Sequence, residues 1–265
     1  MFLSMTKKYI ADWKVQENRT LNNSHSLIKL VLDEPLPEIL PGQFVEIKIN
    51  RSEHTFLRRP FSVHFVNYKN NELWLLIQLV GEGTRNITIV RKGELLNLIY
   101  PLGKGFTIPS ETNKSKKQLL IGGGVGVAPL LYLGATLKEK GFTPAFLLGA
   151  RTENDLVQLL EFQKYGEVYI TTEDGGLGEK GWVSHHSILQ KETFDFIYTC
   201  GPKPMMQTIA HYARQRSIPC EVSLENTMAC GIGACLCCIE KTTEGPVCVC
   251  TEGPVFNINQ LTWPI

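Results

Sequence analysis

The chain has 265 residues, 43% of them hydrophobic and 20% charged, which is room for two compact domains and an appended module. The formal net charge is +1, and the largest basic cluster is Lys114, Lys116 and Lys117, which argues against nucleic acid or an anionic membrane as the main partner. No apolar run approaches the roughly 20 residues of a membrane-crossing helix, and Met1-Phe2-Leu3-Ser4-Met5 lacks the long apolar stretch of a signal peptide, so the cytoplasm is expected.

Residues 1–110 read as β-structure. Ser26 to Leu32 is strand-like, Phe44 to Ile49 alternates with Val45, Ile47 and Ile49 on one face, and Leu73 to Val80 is another apolar run of strand length. Pro41-Gly42 and Asn70-Asn71 supply turns, so the pattern predicts a small antiparallel barrel. Ser110 to Lys117 is polar and aperiodic and reads as a linker. Residues 111–217 then alternate strands (Leu119–Ile121, Ala145–Leu148, Val168–Thr171, Phe196–Thr199) with helices (Ala128–Lys140 stopped by Gly141, Asp155–Lys164, Pro204–Arg216). That order implies an α/β domain with a parallel sheet covered on both faces. Residues 218–265 form a small cysteine-rich module.

Three segments carry chemistry. Ile121 to Pro129 follows a strand and opens a helix, and Gly122, Gly123, Gly124 and Gly126 let a backbone approach a pyrophosphate at a helix N-terminus, with Pro129 suited to the first turn. The spacing differs from GxGxxG, and a tight turn without a ligand is the plain alternative. In the barrel, Arg58-Arg59-Pro60-Phe61-Ser62 and the turn Gly81-Glu82-Gly83-Thr84-Arg85 each suit a phosphate, because guanidinium forks and small hydroxyl-bearing turns both hold its oxygens. Alternation puts Arg59, Phe61 and Val63 on one face of that strand and Ser62 on the other, and a solvated arginine pair beside a turn is the bland reading.

The cysteines are the strongest compositional signal. Of eight, Cys230, Cys235, Cys237, Cys238, Cys248 and Cys250 crowd into 230–250, which in a cytosolic chain of this size reads as a metal site. Cys230, Cys235 and Cys238 have the C-x4-C-x2-C spacing of a plant-type [2Fe–2S] loop, which needs one more cysteine downstream: Cys250, with Cys248 its competitor. Structural zinc on Cys235, Cys238, Cys248 and Cys250 is the rival. Cys237 is left as an unligated thiol. No G-x-S-x-G or H-E-x-x-H occurs, the six histidines show no ligand spacing, and His185-His186 reads as a cap or a solvent-facing pair.

Together these segments resemble the ferredoxin–NADP reductase superfamily, and more closely the electron-transfer subunits of class 1B dihydroorotate dehydrogenases, over nearly the whole chain. Arg59-Pro60-Phe61-Ser62 matches the Arg-x-x-Ser flavin strand, Leu76-Ile77-Gln78 the strand flanking the flavin, Gly83-Thr84 the second phosphate turn, and Leu102 to Phe106 the end of the barrel. Gly122 to Pro129 matches the nicotinamide-dinucleotide turn, followed by Gly149 to Thr152, and Cys200-Gly201-Pro202 the segment near the nicotinamide. Glu225 to Cys238 matches the cluster loop, and Val249 to Phe256 the closing segment, with Glu252 where an aspartate is usual; that match selects Cys250 over Cys248.

The resemblance implies FAD, a [2Fe–2S] cluster and NAD as co-substrate, with no catalytic acid or base on this chain. It also implies an FMN-containing dihydroorotate dehydrogenase catalytic subunit as partner, in a heterotetramer of two of each and in the service of pyrimidine biosynthesis. Thr171-Thr172-Glu173-Asp174 stands where relatives using the phosphorylated cofactor carry a serine and an arginine for the 2′-phosphate, so NADH is expected over NADPH. The rival readings are a reductase subunit of a hydrogenase or of a flavin-based ferredoxin–NAD(P) oxidoreductase, and a zinc-tied binding module with a vestigial flavin site.

Overall fold

A computed structural model describes residues 7–50, 52, 54–110 and 117–263. The N-terminal half is an antiparallel sheet of β1 (Tyr9–Asn22), β2 (His25–Val31), β3 (Phe44–Ile47), β4 (Arg59–Ser62), β5 (Phe65–Asn67), β6 (Glu72–Gln78) and β7 (Leu95–Leu102), in the order β4-β3-β7-β1-β2-β6-β5. Period-two alternation builds its core. Trp13 and Val15 point in from β1 while Asp12 and Lys14 point out, and Val45, Ile47, Leu73, Leu75, Ile77, Leu96 and Leu98 complete the interior. The sheet curls into a half-barrel, so that β4 and β6, far apart in strand order, come into contact, with His64 N–H donating to Trp74 O at 3.0 Å. The turn expected at Gly81–Arg85 is instead the start of a helix, α1 (Glu82–Thr88), because the Thr84 hydroxyl accepts from Val80 N (3.0 Å) and Gly81 N (3.1 Å) and ties the chain into a first turn.

The second sheet holds β8 (Lys117–Gly123), β9 (Thr143–Ala150), β10 (Glu167–Thr172), β11 (Glu179–Lys180), β12 (Phe196–Cys200) and β13 (Cys220–Ser223), all parallel, in the order β11-β10-β9-β8-β12-β13. A hairpin of β14 (Ile239–Thr242) and β15 (Gly245–Cys248) precedes β16 (Val255–Asn257), which adds to β13 in the antiparallel sense. Helix α2 (Ala128–Glu139) carries Pro129 in its first turn and stops at Gly141, whose φ of +86° only glycine adopts without strain. The helix expected over 155–164 is shorter. A 3₁₀ turn at Glu153–Asp155 and α3 (Leu159–Gln163) are separated by Gln158, held at φ +61° with its Oε1 3.2 Å from His64 Nε2. Helices α4 (Ile188–Lys191) and α5 (Lys203–Gln215) follow, the latter within a residue of its expected bounds, and α6 (Val249–Glu252) lies in the C-terminal module. Most of the expected linker, residues 111–116, lies outside the described residues.

The halves are bolted together by polar contacts at the barrel's exit and at the start of α2. Buried His64 sets Nδ1 2.7 Å from Ala128 O and accepts from Tyr132 N at 3.1 Å; Tyr132 Oη donates to Ile39 O (2.9 Å), and Tyr198 Oη to Thr107 O (2.8 Å). The C-terminal module shares its core with both neighbours: Cys238, Val249, Cys250 and Phe256 pack with Val222 of β13 and with Phe44 and Leu102 of the barrel.

Candidate functional site

The parallel sheet reverses its winding between β8 and β12, and ligands in such sheets bind in the crevice beyond the strand ends at that point. Gly122 to Pro129 and Cys200-Gly201 occupy it. The glycines of the turn divide by role. A Cβ on Gly126 would sit 2.4 Å from Gly201 Cα, one on Gly123 2.6 Å from Met205 Sδ, and one on Gly122 2.8 Å from Val127 Cγ1, so these three let two loops and a helix close on each other. Gly201, at φ +147°, faces Gly123 in return. Gly124 alone, at φ +57°, has nothing within 4 Å of its Cβ position and looks into open space, where a ligand would lie.

Beside this turn Cys200 is fully buried, its thiol 3.8 Å from Glu225 Oε1. Burial, and next the carboxylate, push the thiol well above its usual range, so it stays protonated. Desolvation raises the Glu225 carboxyl in turn, although the residue as a whole retains exposure. Glu225 comes from 25 residues downstream, and no spacing in the sequence marks it as a partner of Cys200. Away from the crevice, Leu21, Thr152, Glu153, Asn154, Val157, Gln158 and Asp174 line a cavity of about 640 Å³. Asp174 is pinned there by donating its N–H to Arg151 O and accepting from Gly176 N.

On the barrel, Arg59, Pro60, Phe61 and Ser62 of β4 are all half-buried. The Arg59 side chain crosses Gly83: a Cβ there would lie 3.1 Å from Arg59 Nε, so glycine at 83 is what lets the guanidinium reach the start of α1. The Thr84 hydroxyl is spent on the helix start, which leaves backbone N–H groups as the donors a phosphate would meet. Of the three β6 residues matched to the flavin, Ile77 is buried in the barrel core and Leu76 against the nucleotide domain, so of these only Gln78 offers a partly accessible side chain, and Ile77 could meet a flavin only through its backbone.

The cysteine loop is held by its own backbone. Ala234 N–H and Cys235 N–H donate to Cys230 Sγ (3.3 and 3.4 Å), Gly233 N–H to Cys250 Sγ (3.1 Å), and Cys250 N–H to Cys238 Sγ (3.4 Å). Thiol contacts pair Cys230 with Cys235 and Cys238 with Cys250, and Cys238 meets Cys248 besides. Desolvation works against the Cys230 thiolate, but the N–H groups of Ile232, Cys235 and Ala234 prevail and bring its pKa down to about 6. Burial, then Cys238, pushes Cys250 up to about 12. Cys248 lies among the same thiols and its sulfur also meets Cys238; like Cys235, it receives no backbone N–H among the described contacts. Cys237 is exposed. Among the described residues, no group of three or more His, Cys, Asp or Glu side chains closes on a single metal-ion position. Two thiolates on each of two irons, with bonds from N–H groups to sulfur, suit the paired arrangement. His186 caps Ile188 N through Nδ1, as a structural histidine does.

The model of the oxidoreductase NAD-binding domain matches residues 120–211, and that of the iron–sulfur cluster binding domain of dihydroorotate dehydrogenase B matches residues 225–262. The chain is 40% identical over 222 residues to the dihydroorotate dehydrogenase B (NAD(+)) electron transfer subunit of Caldanaerobacter subterraneus subsp. tengcongensis, covering 82% of this chain and 84% of that one. Its counterpart in Bacillus velezensis is 35% identical over 252 residues, covering 93% and 96%. Among solved structures, one described as an NADH-dependent reduced ferredoxin-NADP oxidoreductase superposes with a TM-score of 0.84 at 27% identity, covering 96% of this chain and 90% of that chain. No helix of the described residues is long and apolar enough to cross a membrane. With its nucleotide turn and its cysteine loop both inside matched domains, this chain belongs to the family of dihydroorotate dehydrogenase B (NAD(+)) electron transfer subunits, and is an oxidoreductase subunit.

Proposed function

We propose that the chain relays electrons between NAD(H), FAD and a [2Fe–2S] cluster, to and from an FMN-containing dihydroorotate dehydrogenase catalytic subunit, as a cytoplasmic heterotetramer of two of each. Its three parts are 1–110 for FAD, 111–217 for NAD and 218–265 for the cluster, the last lending β13 and β16 to the sheet of the nucleotide domain. Arg59, Gly83 and Thr84 would hold the FAD diphosphate and Pro60, Phe61, Ser62 and Leu76 to Gln78 its ring system. Gly122 to Gly126 and Pro129 would receive the dinucleotide, with Cys200-Gly201 beside its nicotinamide, and Cys230, Cys235, Cys238 and Cys250 would ligate the iron.

Flavin and cluster, when bound, supply the conversion of a two-electron hydride into single electrons. The protein's part is to position and shield. Gly124 leaves room for the pyrophosphate, the protonated Cys200 thiol keeps charge out of the crevice floor, and Glu173 and Asp174 repel a 2′-phosphate, which favours NADH over NADPH. The observation that carries the reading is the cysteine loop, whose backbone N–H groups donate to the sulfurs of Cys230, Cys238 and Cys250 while the Cys235 thiol lies beside Cys230. The visible spectrum of anaerobically purified protein, with iron and acid-labile sulfide assays, tests it. Flavin bands and a cluster signal that both bleach with NADH are expected, and a colourless, zinc-containing protein would overturn the reading. The overlay with the reduced ferredoxin-NADP oxidoreductase favours, as a second reading, a flavin-based ferredoxin–NAD(P) reductase subunit. Co-purification with a dihydroorotate-oxidising subunit separates the two.

A further inference from the structure

Alternation along β3 turns Val45 and Ile47 into the barrel and Phe44 and Glu46 outward, where a glutamate ordinarily meets water. Here the outward face is covered. Phe44 packs with Cys238 and Cys250, and Glu46 is 0% exposed, with neither carboxylate oxygen in any hydrogen bond among the described residues. What covers Glu46 is the cluster loop: a Cβ on Gly231, at φ +67°, would lie 2.6 Å from Glu46 Cγ and 2.8 Å from Oε1. Gly231 directly follows Cys230, and Glu46 pairs in register with Pro60 of β4. One side chain therefore spans from the strand beside Arg59–Ser62 to the turn bearing the first cysteine of the loop.

The far end of the loop is bracketed separately, by Lys104 N–H donating to Gly253 O (2.5 Å) and by Lys104 Nζ on Glu252 (2.7 Å). Those contacts hold the segment of Cys250, to which the loop is tied in turn by Gly233 N–H on Cys250 Sγ; on the barrel side the Cys230-Gly231 turn meets Glu46. Burying a carboxyl without a hydrogen bond is costly, and natural folds keep such groups chiefly at functional or strained places.

We propose that Glu46 is a positioning residue for electron transfer between flavin and cluster: it is the seat that fixes the Cys230-Gly231 turn against the flavin-bearing face of the barrel. The inference rests on the relay reading above, and its test separates the two. Wild type, Glu46→Ala, Glu46→Gln, Gly231→Ala and the double variant Glu46→Ala/Gly231→Ala are assayed for flavin, iron and sulfide. Flavin and cluster reduction by NADH are followed as separate phases, and hydrogen exchange of residues 229–235 is measured.

Glu46→Ala is expected to keep its cofactors, slow the cluster phase by about tenfold or more relative to the flavin phase, as ångström-scale misplacement does, and raise exchange in the loop. Glu46→Gln, of the same shape, restores both. Gly231→Ala drives a methyl into Glu46, so removing the Glu46 side chain partly rescues it, a coupling that a general loss of stability would not produce. If Glu46→Ala folds poorly, the comparison of Gly231→Ala with the double variant still decides. An unchanged cluster phase and exchange in Glu46→Ala, or purely additive effects in the double variant, would overturn the seat. A wild type without flavin or cluster would sink the relay instead, leaving the exchange data to judge the seat.

Discussion

The nucleotide turn and the cysteine loop are both glycine-rich, and they owe their shapes to different things. At Gly122–Pro129 the parallel sheet does the shaping: β8 and β12 lie side by side, and their outgoing turns touch through Gly126 and Gly201 with no room for a side chain between them. Packing within the sheet sets the shape of that turn. At 229–238 there is no regular secondary structure, and the loop's N–H groups point at cysteine sulfurs. Its shape follows the atoms it would hold. A preformed site suits a co-substrate that binds and leaves, and a ligand-shaped site suits a resident group.

The largest test removes the ligand that shapes the loop. Cys238→Ser should abolish the reduced-cluster EPR signal and loosen residues 225–262 to proteolysis, while NADH still bleaches the flavin, because the nucleotide turn does not depend on the loop. Next comes the preformed side. Gly126→Ala forces a methyl to 2.4 Å from Gly201 Cα and should cost about 3 kcal/mol in urea unfolding, as overpacking does. Gly124→Ala, which meets no neighbour, should cost only about 1 kcal/mol, for the positive φ, and act mainly on the KM for NADH. Equal losses from the two alanines would erase the distinction between packing glycine and ligand-facing glycine.

A smaller effect is expected at the cavity beyond the turn. Asp174→Ser should shift the ratio of NADPH to NADH turnover toward NADPH by about tenfold, the equivalent of about 1.4 kcal/mol of repulsion removed. An unchanged ratio would mean that Asp174 does not face the ribose. The smallest effect concerns the bolt at the start of α2. Burial holds the His64 pKa below 6.5, against the opposing hydrogen bonds to Ala128 and Gln158. The folded state therefore resists protonation: its contribution is present above pH 6.5 and is lost as pH falls below that value. Unfolding free energies should decline between pH 6.5 and 5, and His64→Gln should flatten part of that slope.

Much of this was legible in the residues because it depends on local order. The strand patterns of β2, β3 and β6, the stop at Gly141, and the C-x4-C-x2-C run all mark chemistry or geometry that neighbours in sequence impose on each other. The turn expected at Gly81–Arg85 became a helix start through local bonds to Thr84, but elsewhere a distant contact had intervened. The helix over 155–164 loses its first half because Gln158 turns into the left-handed region beside His64, 94 residues away. Nor did local order show that the side chains of Leu76 and Ile77 are buried on either side of β6, which leaves their backbone as what a flavin would meet.

The sequence by itself determined the β-rich N-terminal part, the alternation of strands and helices after it, the cysteine spacing and the glycine turns, since each arises from backbone sterics and side-chain periodicity within one segment. Only the tertiary structure decided which glycine faces open space, that Glu225 lies against Cys200, and that Glu46 is buried beneath Gly231. Alternation reports which way a side chain points from its strand; what lies in that direction is set by a loop that folds back from nearly two hundred residues away.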